Sequence, residues 1–160
     1  MGLRGRSQLE FYETFFVTTS TIEWKCYFDS ANVRRRVRDI LYYSVQCHKA
    51  KLFGYVIMKN HIHLLIRLPN GGPHLSAFMR DFKMSVSRKL FKSRGKIWNA
   101  GFHDVAIVTQ EVFNTKLAYI HENPVRAGYV RNAVDWEFSS ASKWLLGLGS
   151  KDVATHWDSD

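Results

Sequence analysis

The stretch Tyr55-Val56-Ile57-Met58-Lys59-Asn60-His61-Ile62-His63-Leu64-Leu65-Ile66-Arg67-Leu68 decides the fold. From His61 onward it alternates. Ile62, Leu64, Ile66 and Leu68 point one way and His61, His63, Leu65 and Arg67 the other, the period-2 pattern of a strand with one apolar face. The two histidines project side by side from the second face, and two neighbouring imidazoles make a start to a metal site. Taken alone, the pair reads first as polar residues on a solvated sheet face. Leu52 to Met58 forms the strand before it, and Lys59-Asn60 makes a tight turn between the two, with Asn suited to a left-handed backbone.

Working outward, Phe15-Phe16-Val17-Thr18-Thr19 is aromatic and β-branched and reads as a first strand, after a loose basic lead-in over residues 1–13. A helix follows, capped at Asp29 or Ser30, with Val33, Val37, Ile40, Leu41, Ser44 and Val45 on its apolar stripe and Arg34, Arg35, Arg36 and Arg38 around the rest. Downstream, Pro69-Asn70-Gly71-Gly72-Pro73 is a loop. Leu75, Phe78, Met79, Phe82, Val86 and Leu90 mark a second helix, broken at Ser93-Arg94-Gly95-Lys96. Asp104 to Thr109 is a fourth strand. Gln110 to Asn123 is a third helix with the stripe Phe113, Leu117 and Ile120, ended by Pro124 because the residue before a proline avoids the helical region.

The order β-α-β-β-α-β plus a helix predicts an α+β, ferredoxin-like antiparallel sheet with two helices on one face. The extra C-terminal helix is then the element that can reach the histidine face. The 160 residues suit a single domain, with a core from about 14 to 140 and an extension over 141–160. Trp136, Phe138, Trp144 and Leu145 are expected to pack, and the last ten residues to be mobile.

The formal net charge of +9 favours a polyanionic partner, nucleic acid or an anionic membrane surface. No apolar run approaches the roughly 20 residues that span a membrane. The widely spaced Cys26 and Cys47 read as reduced thiols of a cytoplasmic protein.

Chemistry concentrates on the third helix. Tyr119 and Asn123 are four residues apart and share a face, on the flank of the buried stripe with Lys116 beside them. A phenol can attack a phosphodiester and form a phosphotyrosine, but its ordinary pKa of about 10 calls for assistance. A divalent metal on two imidazoles and an amide oxygen could polarise the phosphate and orient it. The bland alternatives are a packing tyrosine and an asparagine C-cap, and Tyr129, Tyr55 and Tyr43 are rival nucleophiles.

Tyr55 to Ile66 resembles the HUH region of the single-tyrosine transposases (Ile62 being the hydrophobic residue between the histidines), and Tyr119-Ile120-His121-Glu122-Asn123-Pro124-Val125-Arg126-Ala127-Gly128-Tyr129-Val130 resembles the tyrosine motif of their REP-associated branch. The similarity extends from about Phe15 through Ser140 and takes in Phe82-Lys83, Ile97-Trp98 and Trp136-Glu137-Phe138-Ser139-Ser140. It implies cleavage and joining of single-stranded DNA next to hairpins formed by repeated palindromes, through a covalent 5′-phosphotyrosine, with Mg²⁺ or Mn²⁺ and no nucleotide cofactor, in a bacterial cytoplasm. By that resemblance Tyr119 is the nucleophile and His61, His63 and Asn123 are metal ligands. Asn123, where the insertion-sequence enzymes often have Gln, points to the REP-associated branch. Lys59 departs from the proline common before the Asn. Lys83, Lys116, Arg126, Arg34 and Arg38 are candidate phosphate contacts; each also reads as a solvated charge. His103 and His121 are further polar groups, His121 pointing largely away from the tyrosine face. A monomer is favoured over a homodimer. Competing readings are an HUH replication initiator or relaxase, and a non-catalytic DNA- or RNA-binding module that would use sheet aromatics.

Overall fold

The computed structural model describes residues 13–69, 72–92 and 96–157. The basic lead-in before residue 13, Asn70-Gly71 of the expected loop and Ser93-Arg94-Gly95 of the expected helix break lie outside the described residues. The elements are β1 (Thr14–Ser20), α1 (Ala31–Cys47), β2 (Lys51–Ile57), β3 (His61–Arg67), α2 (Gly72–Leu90), β4 (His103–Ala106), α3 (Gln110–Arg126) and a short α4 (Ala141–Leu146). The sheet order is β2-β3-β1-β4, and every neighbouring pair is antiparallel. This is the ferredoxin-like α+β arrangement.

The alternation in β3 sorts the two faces. Ile62, Leu64 and Ile66 share theirs with Phe15, Val17, Tyr55 and Ile57, all buried. The stripes of α1 (Val37, Ile40, Leu41, Val45) and α2 (Leu75, Phe78, Met79, Phe82, Val86) are buried as well. Tyr42 of α1 meets Tyr55 hydroxyl to hydroxyl at 2.8 Å. The second face carries His61, His63 and Leu65 with Gly54, Val56, Phe16, Thr18 and Ser20, and α3 crosses it.

The turn between β2 and β3 is as tight as expected, with Met58 N–H bonded to the His61 carbonyl at 2.9 Å. Neither Lys59 nor Asn60 takes a left-handed backbone, however. Their carbonyls instead receive N–H groups from the segment after β1: Phe28 to Lys59 and Thr21 to Asn60, both at 2.9 Å. A turn braced in this way has no need of the left-handed Asn.

The third helix runs one turn further than the sequence suggested. Thr109 caps its start by accepting the Val112 N–H at 3.2 Å. Pro124 lies inside the last turn, and the helix ends at Arg126, followed by Gly128 at φ 76°. A proline this close to the end removes a single internal N–H, and the left-handed Gly128 supplies the actual stop. Asn123 is therefore a helical residue and not a cap. The fourth strand is shorter than expected and stops at Ala106.

Gly54 sets the height of α3 over the sheet. It follows a β-bulge in β2, and a Cβ there would lie 2.8 Å from Leu117 Cδ1 and 3.6 Å from Ile120 Cδ1. A single methyl can be met by rotation of Leu117. The two γ carbons of valine cannot, because Ile120 and Ser140 Oγ close the other side. Gly54→Val is expected to destabilise the fold by about 1–3 kcal/mol, as read by thermal unfolding. An unchanged unfolding midpoint would show that Leu117 and Ile120 yield to the added carbons.

The C-terminal region is more ordered than the sequence indicated. Residues 138–140 pair with the free edge of β2 (Ile57 N–H to the Phe138 carbonyl at 2.8 Å, Ser140 N–H to the Tyr55 carbonyl at 3.0 Å), which shields that edge. Trp136 and Phe138 are buried, whereas Leu145, expected to pack, is 62% exposed. The expectation of mobility over the last ten residues fails for 151–157: Val153 and Trp157 are buried, and Trp157 stacks on Phe113 of α3 at 5.0 Å with its indole N–H on Thr14 Oγ1 at 3.1 Å. Burying an indole of that size offsets the cost of ordering the tail.

Candidate metal and tyrosine site

β3 presents His61 and His63 with ring centroids 4.9 Å apart. The α3 helix lays Asn123 across them: its Oδ1 is 3.2 Å from His61 Nε2 and its Nδ2 is 3.3 Å from His63 Nε2. The far side of each ring is also held. His63 Nδ1 is 2.8 Å from Thr18 Oγ1, on the adjoining residue of β1, and His61 Nδ1 is 2.8 Å from Asn60 Oδ1. Burial depresses both imidazole pKa values, that of His63 to about 3, with His61 and Lys116 adding to the effect. Both rings are thus neutral at physiological pH.

The proton positions follow from the partners. Asn60 turns its nitrogen to the Trp24 carbonyl at 3.2 Å, so its oxygen faces His61 and the His61 proton sits on Nδ1. Nε2 then carries a lone pair aimed at the carbonyl oxygen of Asn123. A His63 Nδ1–H donating to Thr18 leaves a second Nε2 lone pair on the same amide. In that arrangement a cation among the two Nε2 atoms and the amide oxygen would meet all three at once. Among the described residues no three His, Cys, Asp or Glu gather as a metal cluster. The donor set that fits a divalent ion is therefore two imidazole nitrogens and one amide oxygen, with Asn60 and Thr18 fixing the rings from behind.

Tyr119 stands beside this set. Its ring is 5.3 Å from that of His63 and 5.9 Å from Phe16, and Phe16 stacks on His63 at 5.4 Å. At 37% exposed, the tyrosine is open to solvent. Two cations flank it: the Arg126 guanidinium lies 5.4 Å from the Tyr119 ring, and Lys116 Nζ lies 4.7 Å from the Phe16 ring. The structure therefore brings His61, His63, Asn123, Tyr119, Lys116 and Arg126 together within one chain.

The other candidate phosphate contacts fall elsewhere. Arg34 is buried: Nη1 donates to the Phe28 and Asp29 carbonyls at 2.6 and 2.7 Å, and the guanidinium lies against Trp136 and Phe138. It is an internal strut and offers no phosphate contact. Arg38 is on α1, facing Asp39 and Glu137 at 3.6 and 3.7 Å. Lys83 Nζ is spent on the Asn99 and Gly101 carbonyls at 3.2 and 2.6 Å, and burial lowers its pKa. His121 points away from the tyrosine, as expected, into a buried contact with Ser140 Oγ at 2.8 Å. His103 is exposed and pairs with Thr18 in the same cross-strand row as His63. Thr18, Phe16 and Trp24 were not legible as site residues. Register could have pointed to Thr18 and Phe16, since β1 must lie beside β3 in this fold.

The sheet order, the paired histidines and the helix that lays a tyrosine and an amide over them define an α+β domain with one composite imidazole, amide and phenol site. The chain belongs to the IS200-like transposase family, whose model, "Transposase IS200 like", matches residues 15–123. A REP-associated tyrosine transposase of Escherichia coli (strain K12) is 29% identical over 87 residues, covering 54% of this chain and 52% of that one. A Haemophilus influenzae protein of the same named group is 32% identical over 96 residues, covering 52% and 54%. The chain thus spans about half the length of the curated relatives it matches. A solved REP-associated tyrosine transposase, described as bound to a REP hairpin, superposes with a TM-score of 0.75 at 22% identity, over 94% of this chain and 90% of that one, which shows the shared fold. Among the described residues no helix is long and apolar enough to cross a membrane.

Proposed function

We propose that this chain is a REP-type single-tyrosine transposase that cleaves and rejoins single-stranded DNA beside hairpins, in the bacterial cytoplasm, as one domain with its core over 14–140 and an extension over 141–160. The observation that carries the reading is the Asn123 amide bridging two imidazole Nε2 atoms with the Tyr119 ring 5.3 Å from His63. The hairpin substrate is supported by the solved relative described as bound to one.

His61, His63 and Asn123 would hold Mg²⁺ or Mn²⁺, which supplies positive charge to polarise the scissile phosphate. Tyr119 Oη attacks phosphorus as its proton leaves to solvent. The bond from phosphorus to O3′ breaks, its electron pair goes to O3′, and that oxygen takes a proton and departs as a free 3′-hydroxyl. The 5′-phosphate stays on Tyr119, so the ester energy is retained and no nucleotide cofactor is required. Attack by a second 3′-hydroxyl returns the phosphodiester and the phenol. Lys116 and Arg126, beside the rings, would grip the phosphates flanking the scissile one. On this reading α3 serves the histidines of its own chain, so that a monomer would suffice.

The test is incubation with hairpin DNA carrying single-stranded flanks of randomised sequence and a 3′-end label, with Mg²⁺ or Mn²⁺. The label should remain on the protein through SDS and vanish with EDTA. Binding across the whole library without any adduct would favour the non-catalytic module instead.

A further inference from the structure

We propose that Trp24 is a stacking platform for one unpaired nucleobase of the strand whose phosphate lies at the Tyr119 site; the inference rests on the function proposed above. Trp98, Trp136 and Trp157 are buried, whereas Trp24 is 56% exposed. Its indole meets the His61 ring edge-on, with centroids 5.6 Å apart and planes at 66°. That contact places it at the rim of the site and leaves indole surface open to solvent.

The backbone under it is held in an unfavourable form. Glu23 and Trp24 take φ of 53° and 54°, the left-handed region that side chains other than those of Gly, Asn and Asp rarely adopt. The turn is tied down on every side. Trp24 N–H donates to the Thr21 carbonyl at 3.1 Å, and Thr21 Oγ1 reaches the Lys25 and Asn60 carbonyls at 2.7 and 3.0 Å. The Trp24 carbonyl accepts from Asn60 Nδ2 at 3.2 Å. Strain maintained by so many bonds, with a large apolar ring presented to water as the result, has no return in the packing of the free protein. It has one when a flat apolar ligand arrives. A nucleobase is such a ligand, every base has a π-face, and the exposed strand beside a scissile phosphate carries unpaired bases. Shielding of His61 alone would call for a ring laid flat on the imidazole and buried.

The test reads binding in EDTA, where no cleavage is expected, by fluorescence anisotropy of a labelled hairpin with single-stranded flanks. An abasic site is moved one position at a time along the flanks. In the unmodified protein one position should weaken binding roughly tenfold. Trp24→Ala and Trp24→Gly should weaken binding of the intact strand by a similar factor and abolish the effect of that abasic position, and Trp24→Phe should keep part of both. Glycine accepts the left-handed backbone, so its variant loses the ring without added strain. Equal affinity of Trp24→Gly and the unmodified protein, or the same abasic profile in both, would overturn the inference. Covalent adduct formation with no Trp24 effect overturns the stacking role alone. A Trp24-dependent abasic position without any adduct in Mg²⁺ or Mn²⁺ overturns the catalytic reading alone. Failure to bind any strand overturns both.

Discussion

Tyr119→Phe should abolish the covalent protein–DNA adduct and lower strand cleavage by on the order of 10³-fold or more, as expected when a nucleophile is removed from an otherwise intact site. The substitution is a clean one. Phenylalanine keeps the ring that meets His63 at 5.3 Å, Phe16 at 5.9 Å and the Arg126 guanidinium at 5.4 Å, and loses only Oη. Folding and hairpin affinity should therefore stay close to those of the unmodified protein, the measurement being a pair of assays: adduct on an SDS gel, and binding by anisotropy. Two of the rival tyrosines are engaged elsewhere. The Tyr55 hydroxyl is buried against Tyr42, and burial pushes its pKa far up. Tyr129 packs its ring on Trp136 at 5.3 Å, with Lys59 Nζ 5.0 Å from it. Adduct formed undiminished by Tyr119→Phe would assign the nucleophile to another residue.

The second large effect belongs to the histidines. His63→Ala is expected to reduce cleavage by about 10²-fold or more and to weaken Mn²⁺ binding in calorimetric titration, with hairpin affinity changed by no more than a few fold. Strand affinity rests on phosphate contacts, and His63 is only 4% exposed, beneath Asn123 and between Phe16 and the Tyr119 ring. Since alanine also leaves a cavity there, His63→Gln serves as the volume-retaining control. His61→Ala, at the more open edge, should lose metal affinity with less loss of stability and regain part of its activity at high Mn²⁺. If hairpin affinity falls as far as cleavage in both variants, the pair contacts DNA or supports the fold and does not hold a metal.

The parts of this protein that a one-dimensional pattern can carry were legible. Alternation in β3 placed His61 and His63 on the face opposite Ile62, Leu64 and Ile66, and the Phe113/Leu117/Ile120 stripe placed Tyr119 on a flank, where it is found. Failures occur where a distant segment decides. Arg34 sits in a run of arginines and reads as surface, yet Trp136 and Phe138, about a hundred residues on, bury it. Lys83 looks free until the 99–101 segment folds back onto its ammonium. Trp157 lies in a stretch with no period, and only the position of Phe113 makes it a core residue. Pro124 was read by its local preference, which one turn of helix and the Gly128 stop override. Trp24 owes its position to two left-handed residues, for which no sequence period exists.

The tail that stacks on Phe113 also moors the helix that carries Tyr119. Trp157 anchors the start of α3 and bonds to Thr14 at the beginning of β1, and Ser140 holds the middle of the helix through His121 while bonded to β2. The tyrosine helix is thus moored at two points to strands of its own sheet. To trade α3 with a second copy, a molecule would have to unstack that indole, expose the edge of β2 and withdraw a buried imidazole at once. Within this chain the helix that carries Tyr119 is thus held over His61 and His63 by the last segment of the fold, some forty residues further on.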